Sequence, residues 1–299
     1  MIYIYTVIYN TPEFIEYQYN LFKKFTTNDF EYIIFNNTNT NSRITDTNSF
    51  NYLQLVKICN KNSIKYIDVP RELYINVNDN NASLRAGISI DFATKYMINN
   101  YNKKNDILML IDADAFLIDF FDINKFMNNC NLSGRYQYRK NNKGYINKYI
   151  TNQIVLYKHS NFSLNDIKYL SFRPGIFNGV NCDCGGSINY IFENVKDINF
   201  KNWTNYLFSG IGNTIQMAGE DVSIIEHYNL NYNNTLSPPI TKFIDMDTKK
   251  LNKKFPFCEI FTHKEHFKFL HLRSGTNWIN YDINERKKLL YNTLNDILK

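Results

Sequence analysis

An unbroken apolar run, Asp106-Ile-Leu-Met-Leu-Ile111, leads directly into Asp112-Ala-Asp114. A run with no polar alternation cannot lie on a half-solvated sheet, so it predicts a strand buried on both faces in the middle of a mostly parallel sheet. Burial on both faces requires helices above and below, which is the layer arrangement of an α/β domain. The preceding residues fit. β-type runs at Ile2 to Tyr9, Tyr32 to Phe35 and Lys65 to Val69 alternate with three helical patterns. The first opens at Thr11-Pro12, where proline suits a first turn, and the second covers Phe50 to Cys59. The third runs from about Ser83 to Tyr101, with Leu84, Ile88, Phe92, Ala93, Tyr96 and Met97 on one stripe and Ser83 as its N-cap.

After residue 130 the pattern is less regular, with β-type stretches at Ser133 to Tyr138, Gln153 to Tyr157 and Phe177 to Val180. Helical patterns follow near Gly186 to Asn194 and Asn213 to His227, and an amphipathic helix over Tyr281 to Leu298 closes the chain. A chain of 299 residues with no linker or internal repeat is read as one domain.

The position of Asp112 and Asp114 gives them weight, because open α/β sheets place their ligands at the carboxyl ends of the strands. Residues two apart in an extended segment face the same side. Both carboxylates can therefore meet one divalent ion, and hard oxygen ligands suit Mg²⁺ or Mn²⁺. The bland reading is a solvated acidic pair at a strand end. A second copy, Asp245-Met-Asp247, is flanked by Lys249-Lys250 and takes the bland reading.

With this motif the chain resembles the glycosyltransferases of GT-A fold, in which a D-x-D after a hydrophobic strand binds the metal of a nucleotide-sugar complex. Three further segments carry the resemblance. Met217-Ala-Gly-Glu-Asp-Val-Ser-Ile224 is similar to that fold's second acidic motif; the likeness implies Asp221 as catalytic base of an inverting transfer and Glu220 as its neighbour. Without it, the pair reads as first-turn helix carboxylates favoured by the macrodipole. Asn181-Cys-Asp-Cys-Gly-Gly-Ser187 resembles a D-x-G-G segment, where Gly185 and Gly186 would let backbone approach the donor sugar or acceptor. Phe269-Leu-His271-Leu-Arg-Ser-Gly-Thr-Asn-Trp278 resembles the segment whose histidine completes the metal shell. His271 alone would pass as a hydrogen-bonded core histidine. The likeness makes it a third ligand and Arg273 a phosphate partner through its fork of donors.

The resemblance implies a GT-A fold, Rossmann-like, with a mostly parallel central sheet flanked by helices and a mixed acceptor-side sheet. It divides the single domain into a nucleotide-binding half over 1–118, an acceptor-side half over 119–280 and the closing helix over 281–299. Donor-side residues are Tyr9 at the end of the first strand, Asn36, Arg85 in a polar cluster at the start of the third helix, and Asp112. The second strand ends in Asn36-Asn37, where many related enzymes carry a base-reading Asp. The implied cofactors are Mn²⁺ or Mg²⁺ and a UDP- or GDP-sugar, and the acceptor is a glycan, a protein or a lipid-linked sugar. Two rival readings fit parts of the same pattern. A non-catalytic glycan- or nucleotide-binding module could retain the same body. An aspartyl-phosphate phosphatase also uses D-x-D after a strand, but on the first strand and followed by Thr or Val rather than Ala115.

Composition narrows the remaining classes. A hydrophobic share of 44% and an aromatic share of 16% exclude global disorder. The net charge of +6, from 34 basic and 28 acidic residues, is scattered apart from small clusters such as Arg286-Lys287-Lys288. It suits a polyanionic cofactor and does not call for nucleic acid. The five cysteines include no C-x-x-C pair, which fits reduced thiols. Met1 to Tyr9 lacks the flanks of a signal peptide and no run of about twenty apolar residues occurs. A soluble, cytoplasmic protein is expected, with its oligomeric state left open.

Overall fold

The computed structural model describes residues 1–9, 11–38, 46–77, 81–101, 103, 105–140, 143–144, 146–158, 166, 169–177, 179–207, 244–245, 250–251, 258–263, 266–272 and 283–299. In the first hundred residues, β1 (Ile2–Ile8), α1 (Glu13–Phe25), β2 (Phe30–Asn36), α2 (Asp46–Asn62), β3 (Lys65–Asp68) and α3 (Ala82–Asn100) follow one another. β4 (Ile107–Ile111) comes next, and β1 pairs in parallel with β2 on one side and β4 on the other. The apolar run thus becomes an internal strand buried at all its positions. Its side chains split by period two, Ile107, Met109 and Ile111 into the core under α1 and α2, Leu108 and Leu110 into the core under α3.

Beyond β4 the chain forms β5 (Ala115–Leu117), α4 (Ile123–Phe126), β6 (Leu132–Gly134), β7 (Tyr136–Lys140), β8 (Ile146–Ile150) and β9 (Ile154–Lys158). Then come β10 (Gly175–Phe177), β11 (Val180–Cys182), a 3-10 turn at Gly186–Asn189, α5 (Tyr190–Asn194), β12 (Phe200–Asn202) and β13 (Thr204–Leu207). The last elements are β14 (Ile244–Asp245), β15 (Lys250–Leu251), β16 (Cys258–His263), β17 (His266–Leu272) and α6 (Ile283–Leu298).

The main sheet has seven strands in the order β12-β6-β9-β4-β1-β2-β3, parallel except where β9 runs against β4 and β6. A smaller sheet, β13-β16-β17-β5, is antiparallel at every described pairing. Phe269 of β17 packs edge-on against Trp203 and Phe121, with ring centroids 5.6 Å away in each case, so one aromatic cluster welds the two sheets together.

The architecture is the α/β arrangement anticipated, and several details differ. The α3 cap is Asn81, whose Oδ1 accepts from the Leu84 N–H at 3.0 Å; Ser83 is left free to bond elsewhere. Ser133 to Tyr138 is divided between β6 and β7, which belong to different sheets. Phe177 ends β10 and Val180 opens β11, paired with each other across the hairpin, with Gly179 at φ 72° in the turn between the two strands. The helical pattern at 213–227 lies outside the described residues. Among the described residues, no helix is long and apolar enough to cross a membrane. Cys59, Cys130, Cys182 and Cys184 are buried free thiols.

Candidate active site

The chain runs β1, β2, β3 outward, then returns over α3 to place β4 on the opposite flank of β1. Such a reversal opens a crevice between the two strand ends. There the chain leaves the main sheet and enters the small one within one turn. The Asp112 N–H extends the β4–β9 ladder to the Gln153 carbonyl at 2.8 Å, and the Ala115 N–H closes the turn on the Asp112 carbonyl at 3.0 Å. The Leu272 N–H holds the Asp114 carbonyl from β17 at 2.9 Å. Gln18 braces the turn from below. It occupies the apolar stripe of α1 with Phe14, Ile15, Leu21 and Phe22, fully buried. Its Nε2 donates to the Asp112 carbonyl at 3.0 Å and to the Ala115 carbonyl at 2.5 Å, and its Oε1 accepts from the Tyr32 hydroxyl.

This frame brings both carboxylates to His271, which β17 pairs directly opposite Ala115. His271 Nε2 lies 3.2 Å from Asp114 Oδ1 and 3.7 Å from Asp112 Oδ2. Asp114 and His271 are buried and Asp112 is half-buried, and one ligand atom from each falls within 4.8 Å of the others. Ligands about 2.1 Å from a common ion stand roughly 3–4 Å apart, so small side-chain adjustments bring these atoms to Mg²⁺ or Mn²⁺ distances. Two carboxylates and an imidazole also form a chemically suitable set. The same crowding marks Asp112: burial, and then the Asp114 carboxylate, raise its pKa above the usual carboxylate value, against the opposing pull of His271.

The triad floors a cleft of about 460 Å³. Val7, Tyr9 and Asn37 form the side where β1 and β2 end, Asn152 and Gln153 a second side, and Ser83, Asp183 and Cys184 a third. Asn152 Nδ2 approaches Asp112 Oδ2 at 3.4 Å. The Asn37 amide is oriented by the Tyr74 hydroxyl, which donates to its Oδ1 at 2.9 Å. Burial pushes the Cys184 thiol up to about 12, and it donates to the Ser83 carbonyl at 2.9 Å; the thiolate chemistry of a nucleophile is not available to it near neutrality.

Of the residues singled out in the sequence, Tyr9, Asp112, Asp114 and His271 meet in this cleft. Gly185 and Gly186 lie just behind its wall. Gly185 has φ 95°, and a Cβ there would stand 2.0 Å from the Ile150 carbonyl oxygen, so glycine is required for the close approach. Asn36 is turned inward. Its Nδ2 donates to Asp68 at 2.7 Å and its Oδ1 accepts from the Thr38 N–H at 3.0 Å, while its neighbour Asn37 faces the cleft. Arg85 is buried with its guanidinium 4.7 Å from the centre of the Tyr74 ring, outside the cleft lining. Glu220, Asp221, Arg273 and Asp247 lie outside the described residues.

Asn37 and Asp183 stood within quoted segments, the Asn36-Asn37 strand end and the D-x-G-G stretch, but were not named as site residues. Gln18, Asn152 and Gln153 were not singled out, and of these only Gln18 carried a visible signal, a polar residue within an apolar helical stripe.

With this geometry in place, comparison with solved structures adds a likeness in outline. LgtC, in an active-site mutant form, matches 98% of this chain and 96% of its own length at 9% identity and a TM-score of 0.44. A second LgtC structure, with donor and acceptor sugar analogues, is that of a galactosyltransferase; it matches 54% of this chain and 58% of its own, at 10% identity and a TM-score of 0.32. Mouse xyloside xylosyltransferase 1 in its apo form matches 75% of this chain and 96% of its own, at 8% identity and a TM-score of 0.36. Core-mannan synthase A from Aspergillus fumigatus, in a Mn/GDP form, matches 54% of this chain and 60% of its own, at 10% identity and a TM-score of 0.33. No family model matches the chain, and no curated protein matches it.

Proposed function

We propose that this chain is a metal-dependent glycosyltransferase that moves a sugar from a UDP- or GDP-sugar to a hydroxyl of a glycan, protein or lipid-linked acceptor. The observation that carries this reading is the meeting of Asp112, Asp114 and His271 at the floor of a cleft, at the crevice between β1 and β4. Asp112, Asp114 and His271 would hold Mn²⁺ or Mg²⁺. When bound there, the ion neutralises the diphosphate leaving group, which is worth several kcal/mol to such a reaction.

The chain's own groups divide the remaining work. Tyr9 and Asn37 offer a polar rim for the nucleoside where β1 and β2 end. Asn152 steadies Asp112. Asp183 and Cys184 face the sugar or the acceptor, with Gly185 and Gly186 behind them allowing the close backbone approach, and Arg273, two residues beyond His271, pairs with the diphosphate. Asp221 takes the proton from the acceptor hydroxyl with Glu220 beside it, in an inverting displacement. The chain acts as one domain, with residues 1–118 serving the nucleotide and residues 119–280 the acceptor.

Calorimetry with UDP and GDP tests this directly. One of the two should bind with Mn²⁺ present and not in its absence, and metal-independent binding, or none by either nucleotide, would reject the reading. For the Asp221→Asn variant, nucleotide binding should persist while transfer collapses. The product anomer read by NMR decides inversion.

A further inference from the structure

Three positions on one stripe of α3, Ser83, Gly87 and Asp91, stand four residues apart and so share a face of the helix. Each meets the third wall of the cleft or the strap behind it. Ser83 Oγ donates to Asp183 Oδ1, and Ser83 O receives the Cys184 thiol. Gly87 lets the strap 171–173 lie against the helix, because a Cβ there would stand 2.8 Å from the Phe172 carbonyl oxygen and 3.0 Å from Arg173 Cα. Asp91, buried at 5% exposure, closes the far end. Its Oδ1 accepts from the Phe172 N–H at 2.6 Å, and its Oδ2 accepts from Ser171 Oγ and Arg173 Nε, both at 3.0 Å.

The strap in turn holds the wall. The Phe172 carbonyl accepts from the Gly185 N–H at 2.9 Å and the Arg173 carbonyl from the Ser187 N–H at 3.2 Å. The Ser171 carbonyl accepts from Ser187 Oγ at 2.7 Å. Eight residues of helix separate Ser83 from Asp91 by roughly 12 Å, and Asp91 is not among the residues lining the cleft. Its influence on the cleft passes through the strap.

The geometry points to Asp91 as a positioning residue for sugar recognition, fixing Asp183 and Cys184 opposite the metal triad without touching substrate. This rests on the glycosyltransferase reading above. A carboxylate accepting three hydrogen bonds, one from a guanidinium, is a strong fixture. An asparagine there presents an N–H to one of those donors and releases that side of the strap.

The test compares, in wild type and Asp91→Asn, the affinity for the nucleoside diphosphate with that for its nucleotide sugars, both with Mn²⁺. A panel of UDP-glucose, UDP-galactose and GDP-mannose supplies the probes. In the variant, UDP or GDP should bind within about twofold of wild type, because the triad is untouched, while the extra affinity that the sugar adds should fall ~10-fold, as it does when an outer support is lost. Donor hydrolysis should fall with it. If Asp91→Asn does not fold, the pair Ser171→Ala and Arg173→Gln removes both bonds to Asp91 Oδ2 from the more exposed side, Arg173 being 55% exposed, while leaving the Phe172 N–H bond to Oδ1, and carries the same expectation in direction. An unchanged sugar increment, or a parallel loss of diphosphate and sugar binding, overturns the proposal. Wild type that binds neither nucleotide with Mn²⁺ overturns the parent reading, and this proposal with it.

Discussion

The two sheets of this molecule are assembled in opposite ways, and the candidate site exists only where they touch. The seven-stranded sheet takes β1 to β4 from neighbouring stretches of chain, each linked by a helix. The four-stranded sheet gathers the three-residue β5, then β13, then β16 and β17 from near the end of the chain. Asp112 closes the first sheet, Asp114 opens the second, and His271 comes from the second sheet's centre. A local sheet can present a carboxylate pair by itself. The proposed third ligand depends on long-range strand pairing, so metal binding at this candidate site would also report whether the two sheets are correctly joined.

The largest expected effect removes the shared element. Asp114→Ala deletes a buried carboxylate, the proposed metal ligand, while leaving both sheets paired, since its carbonyl bond to Leu272 is a backbone contact. Losing several kcal/mol of metal stabilisation corresponds to a drop in turnover on the order of 10³-fold or more. Manganese-dependent nucleotide binding should vanish with it. Full activity in a folded Asp114→Ala protein would mean that the site has been assigned to the wrong corner.

Gln18→Ala sharpens the comparison, because it changes only the brace beneath the turn. Gln18 touches no expected ligand atom; it holds the carbonyls of Asp112 and Ala115 on either side of the crossing between sheets. Outer supports of this kind are typically worth 10–100-fold in metal affinity, so manganese titration of this variant should show a loss in that range. The variant also strands the Tyr32 hydroxyl, which loses its Gln18 partner, and a modest fall in melting temperature should accompany the weaker binding. Unaltered manganese affinity would show that backbone bonds alone fix the turn.

The same contrast governs what the sequence disclosed. β1 to β4, their helices and the acidic pair were legible because local periodicity and a strand-end position are properties of contiguous residues. The small sheet was not, since β5 is only three residues long and finds its partner in β17 by burial rather than by pattern. His271 came into view through a motif likeness, not through its surroundings. Local chemistry also misled in places. Ser83 and Asn81 are both good caps; the earlier residue took the helix end, which left the serine to the cleft wall. Gly179, at φ 72°, suits the turn between β10 and β11, and Asn36 was drawn to Asp68 while the buried Asn37 faces the cleft.

The smallest effect concerns the cost of holding two carboxylates together without a cation. Burial and the Asp114 charge raise the Asp112 pKa in the folded protein, so the native state retains that proton to a higher pH than the unfolded chain does. Apoprotein stability should therefore decline as pH rises from the ordinary carboxylate range through the raised one, and it should be lowest, for this group, once Asp112 is ionised. Asp112→Asn keeps the shape and the neighbour Asn152 but removes the charge. At neutral pH without metal it should melt about 2 °C above wild type, the shift that a fraction of a kcal/mol to one kcal/mol produces in a chain of this size, and the acid-side slope should flatten. Saturating Mn²⁺ should reverse the order, because wild type gains a bound ligand and the variant gains little. A variant that melts lower than wild type in both conditions would show that Asp112 serves the junction between the sheets as a structural contact, with its charge already compensated by His271.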